Sequence, residues 1–274
     1  MLIPLHHRFQ GALLGSTLAP TAPAWAAAQR AGVAHLSHGA PLPVLDHLES
    51  APAALIAVPL VLLNHEEPAA CVAQLATTVT PWLRDPETGG DVQAWALALA
   101  SSLRGEPASL AFLAALSPPW PTLGAILQRA IAQEHSSYQL LVALGRQLPA
   151  STRAIALALY LMARSPVPPP LPAAGVLESS LGLARPLAAS LTGARYGPWS
   201  LPRCEPASET DETPALAAEL LRLWAGQSLA VRRPSWLVVT AAGGLQARPP
   251  FRPLAQRDSP AVPPGHRAEG FLVE

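Results

Sequence analysis

The 274-residue chain could form one large domain or two small ones. Half of its residues are hydrophobic and 13% are charged, a balance that supports a substantial core and excludes global disorder. Eighteen basic residues, all of them arginine, offset eighteen acidic ones to a formal net charge of zero, so no field gathers a polyanion and nucleic acid is excluded as the main partner.

The first eight residues hold one proline and two histidines rather than a basic stretch leading into an apolar core, so no signal peptide is expected. Residues 11–18 read as the first helix, after the aromatic Phe9. Helices follow at 53–63, 69–83, 91–103 and 107–116, each rich in Ala and Leu and bounded by Pro or Gly. The apolar run 51–63 is shorter than the ~20 residues that span a bilayer, and Pro52 and Pro59 interrupt it. No membrane span is expected, and the cytoplasm is the default location.

Segments 122–133, 136–146 and 151–163 carry apolar residues at three- and four-residue spacing, with Ser136 and Ser151 at N-cap positions. In the third, Ile155, Leu157, Leu159, Tyr160 and Leu161 leave almost no polar face, which predicts a centrally buried helix. After the proline run 166–172, helices are expected at 173–181 and 183–196, with Pro186 either in a first turn or breaking the second. A last amphipathic helix is expected at 213–225, with Thr213 as cap and Pro214 at its first position. The fold class is all-α.

Beyond Gln227 prolines become dense. The expected organisation is a helical domain over 1–227 and an irregular Pro-rich arm over 228–274. The arm's β-prone run 236–240 supplies the candidate partner-binding residues Trp236, Leu237, Val238 and Val239. Exposed apolar surface costs ~25 cal/mol per Å². The run therefore either docks on the helical body or a partner, with strand addition one mode, or belongs to a plain flexible tail.

Ordinary catalytic motifs are absent. A chain without Lys has no P-loop, and neither Gly-x-Ser-x-Gly nor His-Glu-x-x-His occurs. Gly89-Gly90-Asp91 reads as a helix terminator followed by an aspartate N-cap. His65-Glu66-Glu67 reads as a solvated turn; His6-His7 and His35 with His38 lack a third ligand at metal spacing. Cys71 and Cys204 fit no Cys-x-x-Cys or zinc pattern and read as reduced thiols. The seven Trp residues read as core and interface anchors.

Two segments resemble a known family. Arg8-Phe9-Gln10-Gly11-Ala12-Leu13-Leu14-Gly15 is similar to the opening helix of ADP-ribosylglycohydrolases of the dinitrogenase-reductase-activating type. Leu191-Thr192-Gly193-Ala194-Arg195-Tyr196-Gly197, followed by Leu201-Pro202, is similar to the family's closing segment, and the resemblance spans roughly residues 8–227. It implies a compact multi-helix domain and, in the family, two magnesium ions held by aspartates that activate water for glycosidic cleavage. Here the late aspartate positions fall on Ala184 and Pro186, the early Gly-Asp falls on Ala19-Pro20, and no Asp-Asp pair exists. Neither Ala nor Pro offers a side-chain oxygen to a hard dication.

The resemblance therefore implies a degenerate member with no catalytic, metal or cofactor residues carried over. It would work by binding a protein partner or an ADP-ribose-like ligand. The alternatives are an enzyme that regained chemistry around Asp46, His65, Glu66 and Glu67, and an unrelated helical scaffold or assembly factor.

Overall fold

Alanine and leucine give most of the described residues helical backbone, and proline sets where each helix may begin or must stop. The computed structural model describes residues 3–18, 22–38, 45–106, 109–145, 148–164, 182–201 and 212–226. These contain α1 (Leu5–Ser16), α2 (Ala22–His38), α3 (Ser50–Ile56), α4 (Val58–Asn64), α5 (Pro68–Thr78), α6 (Gly89–Arg104), α7 (Trp120–Ala132), α8 (Ser137–Leu144), α9 (Ala150–Arg164), α10 (Ala184–Tyr196) and α11 (Thr213–Trp224). Short 3₁₀ turns lie between them, and one isolated parallel bridge joins Leu48 to Leu83. Among the described residues the fold is all-α, and no helix is long and apolar enough to cross a membrane. The expected helix 173–181, the β-prone run 236–240 and the arm 228–274 lie outside the described residues.

The differences from expectation have local causes. Helix α2 escapes pattern reading because its alanine-rich face gives little polar contrast, and because Pro23, which looks like a breaker, is the second helical residue, where no intrahelical amide is needed. The single helix expected at 53–63 is two, jointed at Ala57. Pro59 cannot give Leu55 O the amide that an unbroken helix would supply, and the buried Gln29 of α2 donates to that carbonyl instead at 2.7 Å. Pro81 likewise ends α5 early and leaves a 3₁₀ turn over Thr80–Trp82. The expected helix 107–116 shortens to a 3₁₀ turn over Ala111–Ala115.

Ser136 is the cap expected of it, closing a capping box with Gln139. Ser151 is not. It lies inside α9 and donates to Glu49 at 2.6 Å. Thr213 is already helical, with Glu212 before it and Pro214 second. Pro186 falls in the first turn of α10, where its missing amide costs nothing.

Helix α9 is buried along nearly its whole length, as its all-apolar face requires, and packs with α6, where Ser102 Oγ reaches Met162 Sδ at 3.5 Å. Helix α10 lies between α9 and α1 and makes its most extensive contact with α1. That contact is backbone on backbone. A Cβ built on Gly11 would stand 2.2 Å from Gly193 O, one on Gly193 2.1 Å from Gly11 O, and one on Gly15 2.4 Å from the Ala189 carbonyl. The fully buried hydroxyls of Ser16 and Ser190 fold back onto Leu13 O and Leu187 O of their own helices.

Gly11→Ala is expected to cost about 3 kcal/mol or more in urea denaturation, because backbone rather than a yielding side chain occupies the space. Gly32→Ala, in α2 with nothing within 4 Å of the added carbon, is expected to gain ~0.5–1 kcal/mol. Equal effects of the two substitutions would contradict the close α1–α10 contact.

Candidate functional site

Three places in the fold gather polar chemistry or open space: a carboxylate hub at helix N-termini, the turn after α4, and an apolar groove on α2.

The hub forms where α3, α6 and α9 begin. Because α6 starts at Gly89, Asp91 is its third residue and not the N-cap expected from the sequence. Asp91 is buried, and its Oδ2 accepts from Ser50 Oγ and Thr152 Oγ1, both at 2.7 Å. Its Oδ1 accepts the indole N–H of Trp120 at 3.1 Å. A Cβ on Gly90 would meet the Trp120 ring at 3.5 Å, an ordinary van der Waals contact. Beside it, the exposed Glu49 accepts from Ser151. Two adjacent pairs, Glu49-Ser50 and Ser151-Thr152, thus lock the starts of α3 and α9 together across Asp91.

None of these donors is a cation, so the charge on Asp91 is held by neutral hydrogen bonds and by the positive end of α6. Burial pushes its carboxyl pKa up, and the three bonds oppose the rise without cancelling it. With both oxygens engaged and no route to solvent, Asp91 is badly placed to act as a general base or to ligate a metal.

The late positions of the resembling family, Ala184 and Pro186, are buried in the first turn of α10, near the Trp95 indole, whose N–H points to Leu187 O at 3.5 Å. The early positions Ala19 and Pro20 lie outside the described residues.

The turn after α4 divides its residues rather than converging them. His65 is buried, donates through Nδ1 to Leu62 O at 2.7 Å, and packs against Phe9 and Trp224 with ring centroids 5.6 and 5.7 Å away. Only Glu66 and Glu67 form the solvated turn expected of all three. Asp46 is exposed ahead of α3, next to Leu45, which lines the groove beside the opposite end of α4. The four residues of the regained-enzyme alternative therefore share no site.

Burial lowers the pKa of His65, as do the guanidiniums of Arg104 and Arg8, against the raising effects of the Leu62 carbonyl and Glu66. Arg104 donates to His65 O, and Arg8 to Leu103 O at 2.6 Å, so both cations cap helix C-terminal ends. Cys71 nearby is buried with its thiol pushed up to about 12, which makes it unreactive.

The groove lies between α2, the start of α4 and the end of α5. Gly32, Leu36, Ile56, Leu60 and Trp82 contribute to an almost wholly apolar lining. It is open on one side and offers about 40 Å³, room for roughly three water-sized groups. The proposed partner contacts Trp236, Leu237, Val238 and Val239 lie outside the described residues.

Buried Asp91 and His65 give pH signatures near the ordinary working range. The folded Asp91 carboxyl titrates above its ordinary value near 3.8, so its protonated form contributes stability that is full below that value and lost as pH rises through the folded pKa. Asp91→Asn should abolish this slope in melting temperature. At neutral pH it should cost ~1–3 kcal/mol, because an amide NH₂ then faces at least one donor. The folded His65 titrates below its ordinary 6.5, so its contribution is full above 6.5 and declines as pH falls from there toward the lowered value. In His65→Gln the urea midpoint should fall less between about pH 7.5 and 5 than in the parent chain; identical profiles would contradict a neutral buried imidazole. No protein-family model, curated protein or solved structure matches this chain.

Proposed function

We propose that this chain is a catalytically degenerate protein resembling ADP-ribosylglycohydrolases, working in the cytoplasm as a binding or assembly module for another protein. One observation carries the reading. The buried carboxylate at the helix N-termini is consumed by Ser50, Thr152 and Trp120, while Ala184 and Pro186 fill the first turn of α10 where the resembling family carries aspartates. The polar groups of the hub serve each other, which favours a fold-locking role over turnover. A protein partner is favoured over an ADP-ribose-like ligand because the groove is apolar and small, and because Tyr138, Val142 and Trp199 stand largely exposed. Trp236, Leu237, Val238 and Val239 remain proposed contacts of the same kind.

Calorimetric titration of the full chain with magnesium is expected to be flat, and incubation with ADP-ribosylated arginine is expected to release no ADP-ribose above the buffer rate. A stoichiometric magnesium site of micromolar affinity, or turnover lost in Asp91→Asn, would overturn the reading. A partner that copurifies from the native host should rebind as a purified protein with micromolar or tighter Kd. ADP-ribose binding with no protein partner retained would favour the ligand alternative instead.

A further inference from the structure

Helix α11 is lightly seated. It rests on α1, α4 and α2 yet buries only Ala217 and Leu220 of its twelve residues, against nine of thirteen in α10 and eleven of fifteen in α9. Two ion pairs tie it to α2, Arg30 with Glu212 and His38 with Glu219, both at 3.5 Å and with every side chain at least 26% exposed. Pairs this wet contribute little. At the other end of the helix the half-buried Trp224 closes over His65 with ring centroids 5.7 Å apart, while Phe9 of α1 stands on the same imidazole at 5.6 Å.

The surroundings of that imidazole suit its neutral form. The ring is buried, and its N–H runs from Nδ1 to Leu62 O at 2.7 Å. Protonation adds a charge and a second N–H at Nε2, between two aromatic rings. The ionisable groups around it pull in opposite directions: Glu66 of its own turn attracts the charge, and the guanidiniums of Arg104 on α6 and Arg8 on α1 repel it. Arg104 is itself paired with Glu106, and the thiol of Cys71 on α5 stays neutral, pushed up to about 12. On α11, Glu212 and Glu219 are turned to α2 and Arg222 is exposed, so the acids of that helix are engaged elsewhere. Desolvation is the largest of the effects that lower the pKa of His65, and an imidazolium there has to reach water.

Water enters only if a cover moves, and the covers differ in how firmly they are held. Helix α1 is fixed to α10 backbone on backbone through Gly11 and Gly193, and α6 is buried along most of its length. Helix α11 is held by two buried side chains and two exposed ion pairs. We propose that His65 is a proton-operated latch on α11, such that protonating the ring releases this helix from α1, α2 and α4 while the rest of the body stays folded. The inference goes beyond the partner-binding reading and does not rest on it. The pair between His38 and Glu219 has the opposite sign, since it gains its cation on protonation and tightens the seat in acid. Its exposure keeps that effect small, so the buried ring decides.

Hydrogen exchange of the full chain, followed peptide by peptide by mass spectrometry and corrected for the intrinsic pH dependence of exchange, reads the opening of each helix. Between about pH 7.5 and 5, protection of residues 213–224 is expected to fall at least about fivefold while that of 5–16 and 150–164 holds. The ceiling is about 30-fold, for a ring that titrates at its ordinary 6.5 when uncovered and not at all when covered. In His65→Gln the fall should disappear, and in His38→Gln it should remain or deepen. If His65→Gln loses its helical circular dichroism, His65→Met, apolar and of similar size, replaces it.

Unchanged α11 protection in the parent chain overturns the latch. Protection that rises in acid overturns it as well, and gives the decision to His38 and Glu219. Parallel loss in α1 and α9 overturns it as unfolding of the whole body. A fall that persists without His65 overturns it because the proton then acts at another group.

Discussion

Helices α1 and α10 meet with no side chain between them, and the rest of the body is arranged around that meeting. The Gly11 and Gly193 backbones approach so closely that a methyl on either would overlap the other's carbonyl, and Gly15 does the same against Ala189. Such proximity brings Cα–H groups to carbonyl oxygens and maximises dispersion between two regular surfaces, small terms that add along the contact. It also draws α10 deep enough to be covered on its far side by α9 and α6. Segments 8–15 and 189–197 make this contact, through Gly11 and Gly15 on one side and Ala189 and Gly193 on the other.

The carboxylate hub supplies the second constraint, of a different kind. Burying Asp91 without a cation is costly unless every oxygen is engaged, and the donors come from three helices besides its own, α3, α7 and α9. The arrangement fixes the relative rotation of four helix starts more tightly than apolar packing would, because hydrogen bonds are directional and leucines are not. It also spends what would otherwise be a reactive group. An aspartate with a raised pKa in a cleft is an acid–base candidate; the same aspartate sealed under Trp120 is a fastener.

The helical class is legible in the sequence because Ala, Leu and punctuating Pro act locally, and α9 is legible because five large apolar residues leave it no wet face. The glycine contact is legible for a similar reason: three glycines in two helices imply close approach. The hub is not. Ser50, Ser151 and Thr152 each look like ordinary cap hydroxyls near a helix start, and that they share two carboxylates is a fact of tertiary position with no periodicity to betray it. His65 is hidden among its neighbours because adjacent residues in a turn can face opposite media, one imidazole into the core and two carboxylates into water. The joint at Ala57 is hidden because an apolar run masks the effect of a single absent amide.

That joint is a contest for one acceptor. In an unbroken helix Leu55 O would belong to residue 59; here residue 59 is an imino acid, and the oxygen is taken by Gln29, whose same nitrogen also reaches Ser16 Oγ at 2.8 Å. One side-chain amide therefore reports to α1 and to the α3–α4 joint at once, and ties α2, the helix that sequence patterns hide best, to both. The bend and the position of α2 are one decision, written at Pro59 and executed at Gln29.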